Sequence, residues 1–187
     1  LDYSQKAVRD LYLALVQEAL DRYDSDGLEL DFMRAPFLFR PGHEGEGGKL
    51  LTEWLGEVRR RTAAAGRQRG RPVRLAVRVP ANPLTACRLG LDAALWAQQG
   101  LVDLVTVAPW FESMDGDPPF FLWKKLLAPY PVTLAAGLEM NMGGGVVDPE
   151  TAVGAALVAL HGGADCLYVF NYYPTSWCKD WPAGKYE

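Results

Sequence analysis

Asp26-Gly27-Leu28-Glu29-Leu30-Asp31-Phe32-Met33-Arg34 is the stretch on which the reading of the fold turns. Leu28, Leu30 and Phe32 alternate with Glu29 and Asp31, the period of a strand with one apolar and one acidic face, expected over 27–34. Taken alone, such a strand is simply half exposed. The segments after it argue otherwise, because they read as parallel strands alternating with helices, whose helix side is covered. In a closed parallel barrel the opposite face looks inward. Two carboxylates there, near the carboxyl end, sit where barrel enzymes keep their chemistry.

Upstream, Val8, Leu11, Tyr12, Leu15, Val16, Ala19 and Tyr23 recur at helical spacing, with Ser4 or Asp2 as the expected cap. Downstream, Pro36 stops regular structure, and a long loop runs through Phe37, Phe39, Gly42, His43, Glu44 and Glu46. A helix is expected over 49–65 and a strand over 74–80, where Leu75, Val77 and Val79 face one way and Ala76 and Arg78 the other. A short helix over 91–99 ends at Gly100, and Leu101 to Pro109 is an almost wholly apolar strand. A helix over 119–128, a strand over 132–141, a helix opened by Asp148 and Pro149, and a last strand over 165–173 complete the pattern. Apart from a wider gap after the first, successive strands begin about 30 residues apart, the spacing of βαβ units, so the sheet is expected to be parallel.

The fold class is therefore α/β, of the parallel (β/α) TIM-barrel type. A doubly wound sheet is the alternative, but no glycine-rich dinucleotide turn follows the first strand. Five strands fall short of the eight of a full barrel, so the chain is expected to cover about strands four to eight. Residues 1–187 are read as one domain, the C-terminal part of such a barrel, with the earlier strands absent from this chain. The chain starts without Met, almost directly in a helix, which suggests a piece of something longer. Five strands alone leave two open edges, so self-association or completion by the missing strands is expected.

With 49% hydrophobic and 22% charged residues the composition is that of a globular protein, and the net charge of −4 gives no footprint for nucleic acid. The basic run Arg67, Arg69, Arg71, Arg74 reads as a solvated loop. No apolar run is long enough to span a membrane. Cys87, Cys166 and Cys178 are odd in number and show no Cys-x-x-Cys spacing, which argues against a disulfide framework and leaves the compartment open.

Asp26-Gly27-Leu28-Glu29-Leu30-Asp31-Phe32-Met33-Arg34-Ala35-Pro36 resembles the DG-x-x-x-D-x-x-R-x-P strand-end signature of glycosyl hydrolase family 10-like proteins, bacterial barrel glycosidases by assignment. Gly90-Leu91-Asp92 to Trp96 with Gly100-Leu101-Val102-Asp103, and Gly163-Ala164-Asp165-Cys166-Leu167-Tyr168-Val169-Phe170-Asn171, are similar to later stretches of that group. The resemblance implies that Asp31 ends strand four and Glu139 strand seven, the strands on which many barrel glycosidases keep their catalytic carboxyl groups. An aspartate on strand four departs from the usual pair of glutamates.

Glycoside cleavage needs two carboxyl groups flanking the bond, and Asp31 and Glu139 are the best pair in the chain. Arg34, Arg78, Trp110, Asn141, Asn171 and Tyr172 are the expected carbohydrate contacts. Each also has a plainer role: Asp31 paired with Arg78, Glu29 as the true partner of Arg78, Arg34 bracing the long loop, the asparagines capping loops. Trp54, Trp96 and Trp123 lie on helices and are expected in the core. No cofactor and no metal site is implied. The alternative functions are a phosphate-binding isomerase or lyase using Gly143-Gly144-Gly145, with Asp148 opposing the anion, or a non-catalytic carbohydrate-binding barrel remnant.

Overall fold

A computed structural model describes residues 2–142 and 145–172. Helix α1 (Lys6–Arg22) leads into β1 (Gly27–Asp31), followed by α2 (Glu44–Arg69), β2 (Arg74–Pro80), two short helices α3 (Pro83–Arg88) and α4 (Ala93–Gln98), β3 (Leu104–Ala108), α5 (Phe120–Leu127) and β4 (Thr133–Glu139). A small hairpin of β5 (Asn141–Met142) and β6 (Gly145–Val146), then α6 (Pro149–His161) and β7 (Cys166–Phe170), complete the described chain. β1-β2-β3-β4-β7 form a five-stranded sheet in which every pair is parallel. Register places Asp31 beside Arg78, Arg78 beside Thr106, and Glu139 beside Phe170.

The sheet curls. Tyr168 on β7 donates a hydrogen bond of 2.9 Å to Glu29 on β1, and these are the two edge strands. A tyrosine and a glutamate meet from strands four places apart when the curvature is that of a small barrel, whose interior side chains just fill. The convex face carries Leu75, Val77, Val79, Val105, Val107, Leu134 and Ala136, all buried against the helices in one core with Leu51, Leu55, Trp96 and Trp123. The three helical tryptophans are buried as their spacing predicts. Alternation in β2 and β4 thus sorts apolar residues outward to the helices and leaves Arg78 and Glu139 on the concave side.

Strand starts are braced by aspartates. The Asp103 carboxylate accepts from the Leu75 N–H at 2.8 Å and takes the Arg59 guanidinium in a fork at 2.5 and 2.9 Å. Asp165 does the same one unit later, accepting from the Leu134 N–H at 2.9 Å and pairing with Lys124, whose ammonium holds the Asp165 carboxyl below its ordinary range. Each aspartate, one residue ahead of its strand, ties that strand's start to the second residue of the neighbouring one, which fixes the parallel register.

Several boundaries differ from the periodicity. β1 stops at Asp31 because the Asp31 carboxylate turns back to accept from the Met33 N–H at 2.8 Å, ending the extended run. The N-cap of α1 is Gln5, with no side-chain bond, while Asp2 accepts from the Ser4 N–H and hydroxyl ahead of the helix. α2 starts earlier than 49 despite Gly45, Gly47 and Gly48. Here packing overrides propensity: a Cβ at Gly47 would lie 2.2 Å from the Phe39 ring, and one at Gly48 would lie 3.1 Å from Gly90. Phe39 and Leu38 are buried, so the loop after β1 is docked. The basic run is also structured in part. Arg69 donates to the carbonyls of Leu20, Tyr23 and Ser25, and Arg71 pairs with Asp24 and Asp26, which clamps the end of α2 to the α1–β1 connection.

Candidate carboxylate site

Asp31 and Glu139 end two strands of the same sheet, three places apart, on its concave face at the carboxyl ends. Glu139 is 2% exposed. Its Oε1 accepts from the Asn141 N–H at 3.1 Å and from Asn171 Nδ2 at 3.1 Å, and Nδ2 also lies 3.4 Å from Oε2. Asn171 can reach it because its backbone is left-handed, φ 56°, a conformation asparagine tolerates better than most residues. Asn141 approaches through its backbone, held by the β5–β6 pairing with Val146. Both asparagines therefore support the Glu139 carboxylate, whatever else they touch.

Asp31 is paired with Arg78, Nη1 to Oδ2 at 3.0 Å, the plainer of its two expected roles. Arg78 is 4% exposed, and its guanidinium carbon lies over the Phe170 ring, 3.7 Å from its centre. A guanidinium on an aromatic face is held electrostatically and sterically, worth about 0.5–2 kcal/mol. Among the described residues the buried Nε of Arg78 has no hydrogen-bond partner, as its place over the Phe170 ring explains. Glu29 is not the ion-pair partner of Arg78. Its carboxylate takes the Tyr168 hydroxyl at 2.9 Å and the Thr106 hydroxyl at 3.4 Å. Glu29, Thr106 and Tyr168 come from alternate strands of the sheet, the layering of a barrel interior.

Tyr168, Thr106 and Phe170 were not singled out from the sequence. The alternation Cys166, Tyr168, Phe170 against Leu167 and Val169 was the available signal. Burial and the bond to Glu29 push the Tyr168 phenol up to about 12. An unfolded tyrosine titrates near 10, so this group contributes stability that is fully present below about pH 10 and is lost as pH rises toward 12. Ultraviolet titration of the phenolate is expected to show Tyr168 ionising late, with that fraction missing in Tyr168→Phe. Tyr3, also pushed up to about 12, stays as the internal comparison. A missing fraction that titrates near the ordinary value of 10 contradicts the Glu29–Tyr168 bond.

Above the carboxylates two loops are joined by aromatic contacts. The Arg34 guanidinium lies 4.9 Å from the Phe111 ring centre, and Trp110 packs on Phe37 at 5.8 Å. Arg34 thus braces the loop after β1. Trp110 remains 50% exposed and Tyr172 is exposed as well, so both offer ring surface to solvent. His43 is exposed at the start of α2. The α6 N-terminus is capped by Asp148, whose carboxylate accepts from the Thr151 N–H at 2.8 Å and hydroxyl at 2.7 Å, bonds that hold its pKa below the ordinary range. An anion of the protein's own already occupies that end. Gly143, Gly144, Tyr173, Trp177, Cys178 and Trp181 lie outside the described residues. Cys87 and Cys166 are free thiols. Among the described residues no three His, Cys, Asp or Glu side chains gather as a metal site, and no helix is long and apolar enough to cross a membrane.

The cavity beside Glu139 is small, about 20 Å³, room for a water. A much larger one, about 740 Å³, lies at the opposite end of the sheet. Volume and chemistry therefore point to different places. Asp31 and Glu139 both lie at the carboxyl ends of their strands, the end that barrel enzymes use, with Asp31 lining a different cavity from Glu139.

Curled parallel sheet, covering helices and polar concave face together define a partial barrel of the (β/α)₈ kind. Solved structures agree. The chain is similar to 3-dehydroquinate dehydratase from Geobacillus kaustophilus, with a TM-score of 0.62 and 18% identity over 86% of this chain and 56% of that one. It is also similar to a glycoside hydrolase family 18 N-acetylglucosaminidase from Paenibacillus barengoltzii, with a TM-score of 0.53 and 17% identity over 74% of this chain and 46% of that one. The chain spans about half the length of the structures it matches. At these identities the likeness establishes the half-barrel fold. No protein-family model matches the sequence, the family 10-like group included, and no curated protein matches it.

Proposed function

We propose that this half-barrel contributes the carboxylate pair of a glycoside-cleaving site, with Asp31 and Glu139 flanking the bond. The observation that carries this reading is Glu139: a carboxylate 2% exposed, at a strand's carboxyl end, aimed by Asn141 and Asn171. Burying a carboxyl group costs stability, and no cation pairs with this one among the described residues, so a structural role accounts for it poorly. One carboxyl group protonates the glycosidic oxygen; the other attacks the sugar or activates water. Arg78 orients Asp31, and the exposed rings of Trp110 and Tyr172 stack on sugar faces. The resemblance of residues 26–36 to glycosyl hydrolase family 10-like proteins and the family 18 structural neighbour support the same substrate class.

The test is hydrolysis of a panel of aryl glycosides and plant and bacterial oligosaccharides, with binding of the same oligosaccharides followed by calorimetry. Cleavage is expected for one sugar class. Binding without cleavage leaves the carbohydrate-binding remnant; neither binding nor cleavage removes carbohydrate altogether. The reading includes pairing of the open edges β1 and β7 with a second copy or further strands, and sedimentation showing only monomer removes that part.

A further inference from the structure

We propose a second binding site, for a phosphorylated small molecule, in the cavity at the amino-terminal end of the sheet. This cavity of about 740 Å³ falls within the range of about 300–1,000 Å³ usual for small-molecule sites. Four arginines line it, Arg59, Arg67, Arg71 and Arg74, against a single carboxylate, Asp103.

The pairing of these arginines separates structure from binding. Arg59 is spent on Asp103, whose negative charge its fork offsets, so the pair together is neutral toward an anion. Arg71 is spent on Asp24 and Asp26. The guanidiniums of Arg67 and Arg74, both exposed, make no ion pair or hydrogen bond among the described residues. Elsewhere on the surface Arg22 pairs with Glu18 and Arg60 and Arg61 share Glu57, while Arg88 stands alone, with no ion pair among the described residues. A chain of net charge −4 thus leaves two uncompensated guanidiniums on one cavity. The helix dipole accounts for Arg67, in the last turn of α2, but not for Arg74, which opens β2.

The chemistry of the lining selects the ligand. Planar guanidinium forks match the oxygens of phosphate, and two of them suit a dianion. Val73, Pro72 and Pro131 supply an apolar wall for a carbon body. The class is a phosphate monoester of about nucleotide size. This site lies away from Asp31 and Glu139 and stands or falls independently of the carbohydrate reading.

The probes are AMP, adenosine and inorganic pyrophosphate, titrated into the chain by calorimetry at about 150 mM salt, where long-range surface attraction is screened. AMP and pyrophosphate are expected to bind saturably, and AMP at least about tenfold more tightly than adenosine. The double variant Arg67→Gln/Arg74→Gln is expected to lose about tenfold or more of the AMP affinity, with its thermal unfolding unchanged because neither side chain holds the fold. Adenosine binding as tightly as AMP, a response that never saturates, or full affinity in the folded double variant overturns the proposal. Arg88→Gln, a distant arginine, controls for net charge.

Discussion

Glu139→Gln is expected to lower glycoside hydrolysis by about 10²–10⁴-fold while leaving the fold intact. The amide keeps the shape of the carboxyl group and one oxygen to accept from the Asn141 N–H and Asn171. What it loses is the proton or the negative charge that the reaction needs. Asp31→Asn is expected to cost as much, and it also loosens Arg78, which loses its ion pair and keeps the ring faces of Phe170 and Tyr168. Azide added to each variant sorts the roles: a small anion replaces a missing nucleophile, and rescues activity with a good leaving group when the missing group is the base that serves the second step. Wild-type rates in Glu139→Gln would remove Glu139 from the chemistry and leave it a buried brace for Asn171. Retained rates in Asp31→Asn alone would move the second carboxyl group elsewhere, with Glu29, beneath it on the same face, next to be tested.

Trp96→Ala is expected to destabilise the chain by about 3–5 kcal/mol, a large part of the roughly 5–15 kcal/mol that holds a domain together. Trp96 is 0% exposed. Its ring meets Phe32 at 5.9 Å, and its indole N–H donates to the Thr52 hydroxyl at 2.9 Å. One side chain therefore joins α4, α2 and the end of the acidic strand. Truncation leaves a cavity that rigid neighbours fill only in part and orphans the contact to Phe32. Urea unfolding followed by circular dichroism gives the measurement, and Trp96→Phe should recover much of the loss. Trp110→Ala is the contrast: half exposed and packed on the exposed Phe37, it should shift stability by no more than about 0.5 kcal/mol. A loss under about 1 kcal/mol at Trp96 would contradict its place in the core.

The two variants test different consequences of one alternation. In β2 and β4 the residues facing the helices are aliphatic, so burial drives them outward, and Arg78 and Glu139 are left on the concave side by register. Stability lives on the convex face and candidate chemistry on the concave one. That division lets a buried carboxylate persist, because its cost is offset by the core on the other side of the same strand.

Much of this was legible in the chain itself. Period-two alternation, repeated about every 30 residues with helices between, specifies parallel strands and says which residues share a face, since both depend on local geometry. Alternation sets Asp31, Arg78 and Glu139 each opposite the aliphatic face of its own strand. Which groups meet across the curled sheet was decided only by tertiary structure. Glu29 and Arg78 are close in register, yet Glu29 bonds to Tyr168, 139 residues away, and Arg78 lies on Phe170. The curvature that closes those distances comes from strand twist summed over five strands, which no local pattern encodes. The same holds for the early start of α2, where glycines poor for a helix are required by Phe39 and Gly90 arriving from elsewhere in the chain. Local periodicity determined the strands and their faces; packing between distant segments determined the partners of the charges they carry.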